Sequence, residues 1–109
     1  MAALTKITDE ELLNSVKKII GASGTYADPA LSLLIEDVKY DLIEKGVHEV
    51  AVNSRAAIGI IARGVDDMWQ LGGGTVNLSP FYKERAIQLA LHYPKSDPLT
   101  HAESEASDV

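Results

Sequence analysis

Leu31, Leu34, Ile35, Val38, Leu42 and Ile43 recur at spacings that join on one side of an α-helix, and no other feature limits the fold as tightly. On a strand the same residues would scatter over both faces. Glu36, Lys39, Glu44 and Lys45 stay off this stripe, so the helix is amphipathic and needs a partner for its apolar side. Asp28 and Pro29 mark its start as a cap followed by proline at the first helical position, where the missing N–H costs nothing. Gly46 supplies the stop. The pattern predicts a helix near 29–45.

The partners follow the same grammar. Thr8, Asp9, Glu10 and Glu11 form a capping box, with acidic residues at the positive end of the helix dipole. Leu12, Leu13, Val16, Ile19 and Ile20 then mark a short helix over 9–20, and Gly21 offers a left-handed stop. Ser54 caps a third helix that runs through Leu71, with Ile58, Ile61, Ala62, Val65, Met68 and Trp69 on its buried side. Gly59 and Gly64 weaken that helix by up to ~1 kcal/mol each relative to alanine. Glycines kept at such a cost point to close approach by another helix or subunit. Ser79 and Pro80 repeat the cap-plus-proline start, and Phe81, Ile87, Leu89 and Leu91 populate a fourth helix. Lys83, Glu84 and Arg85 lie on its polar side, and Pro94 closes it.

Val47–Asn53 reads as an extended connector, since its valines have no obvious strand partner. From Lys95 onward the chain is polar, acidic and aperiodic, which predicts disorder. The expected architecture is therefore all-α. A small bundle of about four helices occupies residues 1–93, with a disordered acidic tail over 94–109.

A chain of 109 residues supports one modest core. Its net charge of −6 argues against tight nucleic-acid binding, which needs clustered Lys and Arg. There is no cysteine, hence no disulfide framework and no thiolate metal site. Neither a leader-like N-terminus nor an apolar run of membrane-spanning length is present, so a soluble, cytosolic chain is expected.

The chemistry-bearing residues do not assemble into a motif. His48, His92 and His101 have no second histidine or carboxylate pair at metal-binding spacing. Asp66 and Asp67 are neighbours that do not face each other on a helix, although Arg63 or an adjoining subunit lies within reach. Gly72, Gly73 and Gly74 resemble a phosphate cradle only superficially. No lysine follows before Lys83, and a helix rather than a strand precedes them. No catalytic residue, cofactor or metal is expected. The glycines read as an elbow, and alanines there are expected to impair assembly more than folding.

The order of motifs from Arg55 to Leu91 resembles a known family. It runs Asp66, Asp67, Met68, Trp69; then Leu71 and Gly72–Gly74; then Ser79, Pro80, Phe81, Tyr82; then Arg85, Ala86, Ile87, Gln88, Leu89, Ala90. With the two upstream helices, residues 8–92 are similar to head–tail connector (head-completion, portal adaptor) proteins of long-tailed double-stranded DNA phages and prophages. The resemblance implies a structural virion protein and no enzyme. Subunits would form a homo-oligomeric ring of about a dozen copies under the portal protein. The ring would extend the DNA channel, help retain the genome and receive the next head-completion or tail protein. Duplex DNA would pass without sequence-specific binding. The location implied is the virion's head–tail interface, reached from the host cytoplasm during assembly. Trp69, Phe81 and Tyr82 are the interface anchors this implies, with Gly72–Gly74, Arg63 and Asp66 beside them.

Two other readings of the residues stand beside it. The second and third helices around Gly46 and Val47 could form a helix-turn-helix regulator, whose recognition helix would carry only Arg55 and Arg63. A small ligand-binding domain would instead need a polar pocket near His48 or His92.

Overall fold

The computed structural model describes residues 3–71 and 78–102. Among them the order is β1 (Ala3–Thr5), α1 (Asp9–Ile20), α2 (Asp28–Glu44), α3 (Glu49–Val52), α4 (Ile58–Leu71), α5 (Pro80–His92) and β2 (Thr100–Ala102). A 3₁₀ turn over Arg55–Ala57 leads directly into α4. The protein is mostly helical, with a minor strand component that the sequence pattern does not announce.

Local chemistry sets most boundaries. The Thr8 hydroxyl accepts from the Glu11 amide at 3.1 Å, while the Glu11 carboxylate accepts from the Thr8 amide at 3.0 Å. The Thr8 amide and the Thr8 hydroxyl both donate to the Glu11 carboxylate and hold it below its ordinary value against desolvation, with a lesser contribution from Arg55. Gly21 ends α1 at φ 79°, a left-handed conformation that costs glycine little. Asp28 does not cap α2 as expected. The cap position is Ala27, which makes no side-chain cap bond, and Asp28 lies inside the first turn. Its carboxylate meets Lys17 Nζ at 2.8 Å, and Lys17 also donates to the Gly24 carbonyl. The aspartate thus ties the end of α1 to the start of α2.

α4 is the hub, packed against α1, α2 and α5. Ile61, Ala62, Val65 and Met68 are fully buried, and they meet a core built from Leu12 and Val16 of α1 and Leu31, Ile35, Val38 and Leu42 of α2. The two glycines of α4 have different reasons to exist. A Cβ on Gly64 would stand 2.8 Å from Tyr82 Cε1 and 3.0 Å from both Val38 methyls, so only glycine lets α2 and α5 close on α4 here. A Cβ on Gly59 would meet nothing within 4 Å.

Two expectations about the connecting segments are corrected. Val47–Asn53 is not an extended connector. Val47 is fully buried and forms an isolated bridge with Pro94, and the chain then makes the short α3. His48 caps that turn, its Nδ1 accepting from the Val50 amide at 3.0 Å. The segment after Pro94 also returns to the fold. β2 lies parallel to β1, with Ala3, Leu4 and Thr5 opposite Thr100, His101 and Ala102. His101 Nε2 donates to the Val50 carbonyl at 2.9 Å. Two histidines from distant parts of the sequence therefore grip the N–H and C=O of one residue. The expected disorder over 103–109 lies outside the described residues.

Candidate assembly interface

The residues singled out in the sequence converge on the corner between α4 and α5. Trp69, near the end of α4, is 43% exposed, and Phe81, in the first turn of α5, is 60% exposed. Burial of Trp69 between the helices does not occur. Tyr82 behaves in the opposite way: it is fully buried, so it is not available as a surface anchor. Its hydroxyl donates to Asp41 Oδ2 at 3.0 Å, and Lys45 Nζ meets the same carboxylate at 2.8 Å. Burial, then the Asp41 charge, pushes the Tyr82 hydroxyl well above its ordinary pKa.

Of the apolar residues expected along α5, only Leu89 packs against the core. The buried row of α5 is Tyr82 and Ala86, with Leu89, Ala90 and Tyr93 packed against the core. Phe81, Ile87 and Leu91 point outward. At Gly64 the inward side of α5 brings the Tyr82 ring against α4.

A short relay fixes the corner. Asp67 Oδ2 accepts from the Ser79 amide at 3.1 Å and from the Ser79 hydroxyl at 2.7 Å. The Ser79 oxygen in turn accepts from the Tyr82 amide at 3.2 Å, capping α5 as expected. Arg63 Nε lies 3.8 Å from the other Asp67 oxygen, and its guanidinium sits 5.0 Å from the centroid of the Phe81 ring. Asp66, four residues before Gln70, accepts from that side chain at 3.4 Å and takes no part. Gly72, Gly73 and Gly74 lie outside the described residues. Their flanks are bonded to each other, so any swing of α5 against α4 has to open the Asp67–Ser79 bonds.

A half-exposed indole and a phenyl ring backed by a guanidinium are groups that anchor protein contacts. The three histidines do not converge: His48 and His101 hold Val50, and His92 stacks edge-on against Tyr93 with ring centres 4.6 Å apart. Among the described residues, no cluster of three or more His, Cys, Asp or Glu could hold a metal ion. An open groove of about 400 Å³ runs between the start of α4 and α5, lined by Gly59, Ile60, Arg85, Gln88 and His92 among others. None of the described helices is long and apolar enough to cross a membrane.

The helix-turn-helix arrangement is not formed. α3 and the 3₁₀ turn separate α2 from α4, so the short turn around Gly46 and Val47 does not join these two helices. No protein-family model matches the sequence, and neither a curated protein nor a solved structure is detectably similar to it.

Proposed function

We propose that this chain is a head–tail connector subunit of a long-tailed double-stranded DNA phage or prophage, assembling as a ring beneath the portal. The observation that carries the reading is the amount of large apolar side chain left uncovered on a thin subunit. Leu33, Tyr40, Trp69, Phe81, Ile87 and Leu91 are all substantially exposed, and the Cα envelope measures 39 × 31 × 16 Å. A slab of about two helix layers presents much surface per residue, and neighbours in an assembly supply the missing cover. Two motifs of the resemblance, Asp66–Trp69 and Ser79–Tyr82, meet at the braced α4–α5 corner.

In this reading the work of the protein is geometric. The ring lengthens the portal channel, and the subunit's net charge of −6 leaves a passing duplex unheld. Trp69 and Phe81 face the portal or the next connector. Neither carries the core, so Trp69→Ala and Phe81→Ala are expected to leave the folding transition in place. Each is expected to weaken capture by the purified portal about thirtyfold, the effect of losing a ~2 kcal/mol hot-spot residue. Unchanged capture by both variants would remove the corner from the interface.

A further inference from the structure

The groove between the start of α4 and α5 has two unlike walls. Ala56, Gly59 and Ile60 form the α4 side, which is small and apolar. Arg85, Gln88 and His92 follow one another at spacings of three and four residues, so they share one side of α5 and line the other wall with hydrogen-bonding groups. Among the described residues no carboxylate lines the groove, and Arg85 enters no ion pair. Gly59 is a second sign. A Cβ there would touch nothing within 4 Å, so the packing of the fold does not require the glycine, and its effect is to keep that wall of the groove low.

Donors on one wall and a low apolar surface on the other suit a slender anionic chain. One is tethered nearby. Residues 103–109 include Glu103, Glu105 and Asp108, no Lys, Arg or His, and the small Ser104, Ala106 and Ser107. β2 fixes the point from which they leave. Ala102 pairs with Thr5, the next residue Lys6 bridges to Ser54, and the Ser54 hydroxyl accepts from the amide of Ala56 in the groove wall. Strand spacing and one peptide step put Ala102 within ~14 Å of Ser54, while residues 103–109 span up to ~23 Å when extended. The segment therefore reaches the groove of its own chain with β2 in place, and the tether gives it a high effective concentration there.

We propose that the acidic segment 103–109 docks in the α4–α5 groove of its own chain, with its carboxylates directed at Arg85. The contact stands whether or not the chain forms a ring. Because Arg85 is exposed, its attraction for the segment is screened by salt.

The chain has no cysteine, so an introduced pair can report the contact through a disulfide. Gln88→Cys and Ser107→Cys are placed together in the full chain, which is equilibrated with a glutathione redox mixture at low micromolar concentration. The comparison pair is Ile87→Cys with Ser107→Cys, at the same height on α5 but turned ~100° away from the groove. The groove pair is expected to close within one chain about tenfold more favourably than the comparison pair. Arg85→Glu and high salt are each expected to remove that advantage, and Arg85→Lys to keep most of it. Equal closure by the two pairs, closure indifferent to Arg85→Glu, or disulfides formed between chains instead of within one would overturn the proposal. Ring formation on the portal is read separately on the wild type, so loss of either claim leaves the other intact.

Discussion

Gly64 and Gly59 show how far one residue's role depends on what stands opposite it. Both look alike in the sequence, as helix-weakening glycines kept for a close approach. Only Gly64 has one, against Tyr82 and Val38. Gly64→Ala is therefore expected to destabilise the fold by about 1–3 kcal/mol through overpacking, more than the propensity gain of alanine offsets. Gly59→Ala enters open space and is expected to stabilise by up to ~1 kcal/mol. Urea denaturation of the two variants checks both signs at once. Tyr82 carries a second residue-scale consequence. Its hydroxyl stays protonated in the fold at pH values where the unfolded chain, with an ordinary value of 10.0, begins to ionise. The stability that this protonation contributes is full below that pH and declines as pH rises above it. Tyr82→Phe is expected to cost about 1.5–3 kcal/mol at neutral pH by removing the bond to Asp41. The variant should also lose the part of the alkaline decline that wild type shows in denaturation at successive pH values. A variant matching wild type in both would show that the buried hydroxyl is idle.

At the scale of elements, the boundaries were legible and the pairings were not. Thr8 with Glu11, Gly21 and Ser79 act through bonds spanning three or four residues, so their motifs can be read without knowing the rest of the chain. The stripe of α2 was legible for the same reason. What failed depends on contacts far apart in sequence. Ile87 and Leu91 stand one helical turn apart yet face outward, while Tyr82 takes the side that closes on Gly64 and Val38. β1 and β2 are three residues each and pair from opposite ends of the chain, leaving no periodicity to detect. His48 is not among the usual capping residues, so its cap on α3 carries no signal either. Of the candidate site, the α4–α5 corner and its Arg63–Asp67 pairing were foreseeable from i, i+4 spacing, while the Asp67–Ser79 bonds were not. Those bonds make a prediction of their own. Asp67→Ala is expected to destabilise by about 1–2 kcal/mol, as loss of a helix-start tether does. It should also speed hydrogen exchange at the first amides of α5 more than those of α1. Uniform acceleration across the two helices would mean that Asp67 supports the fold globally instead of latching the corner.

The described residues form a helical slab in which α4 packs on three helices and the outer helices carry exposed apolar side chains. An isolated soluble domain of this size would usually keep side chains such as Leu33, Tyr40, Ile87 and Leu91 dispersed or covered. In the proposed ring, neighbouring subunits would cover them. The proposed function makes the chain one of many identical subunits in a closed ring. Native mass measurement of the purified full chain, alone and mixed with its portal, tests this most directly. The expected result is a closed multimer whose copy number matches the symmetry of the portal, formed alone or on the portal as template. A protein that remains strictly monomeric with the portal present would contradict the account.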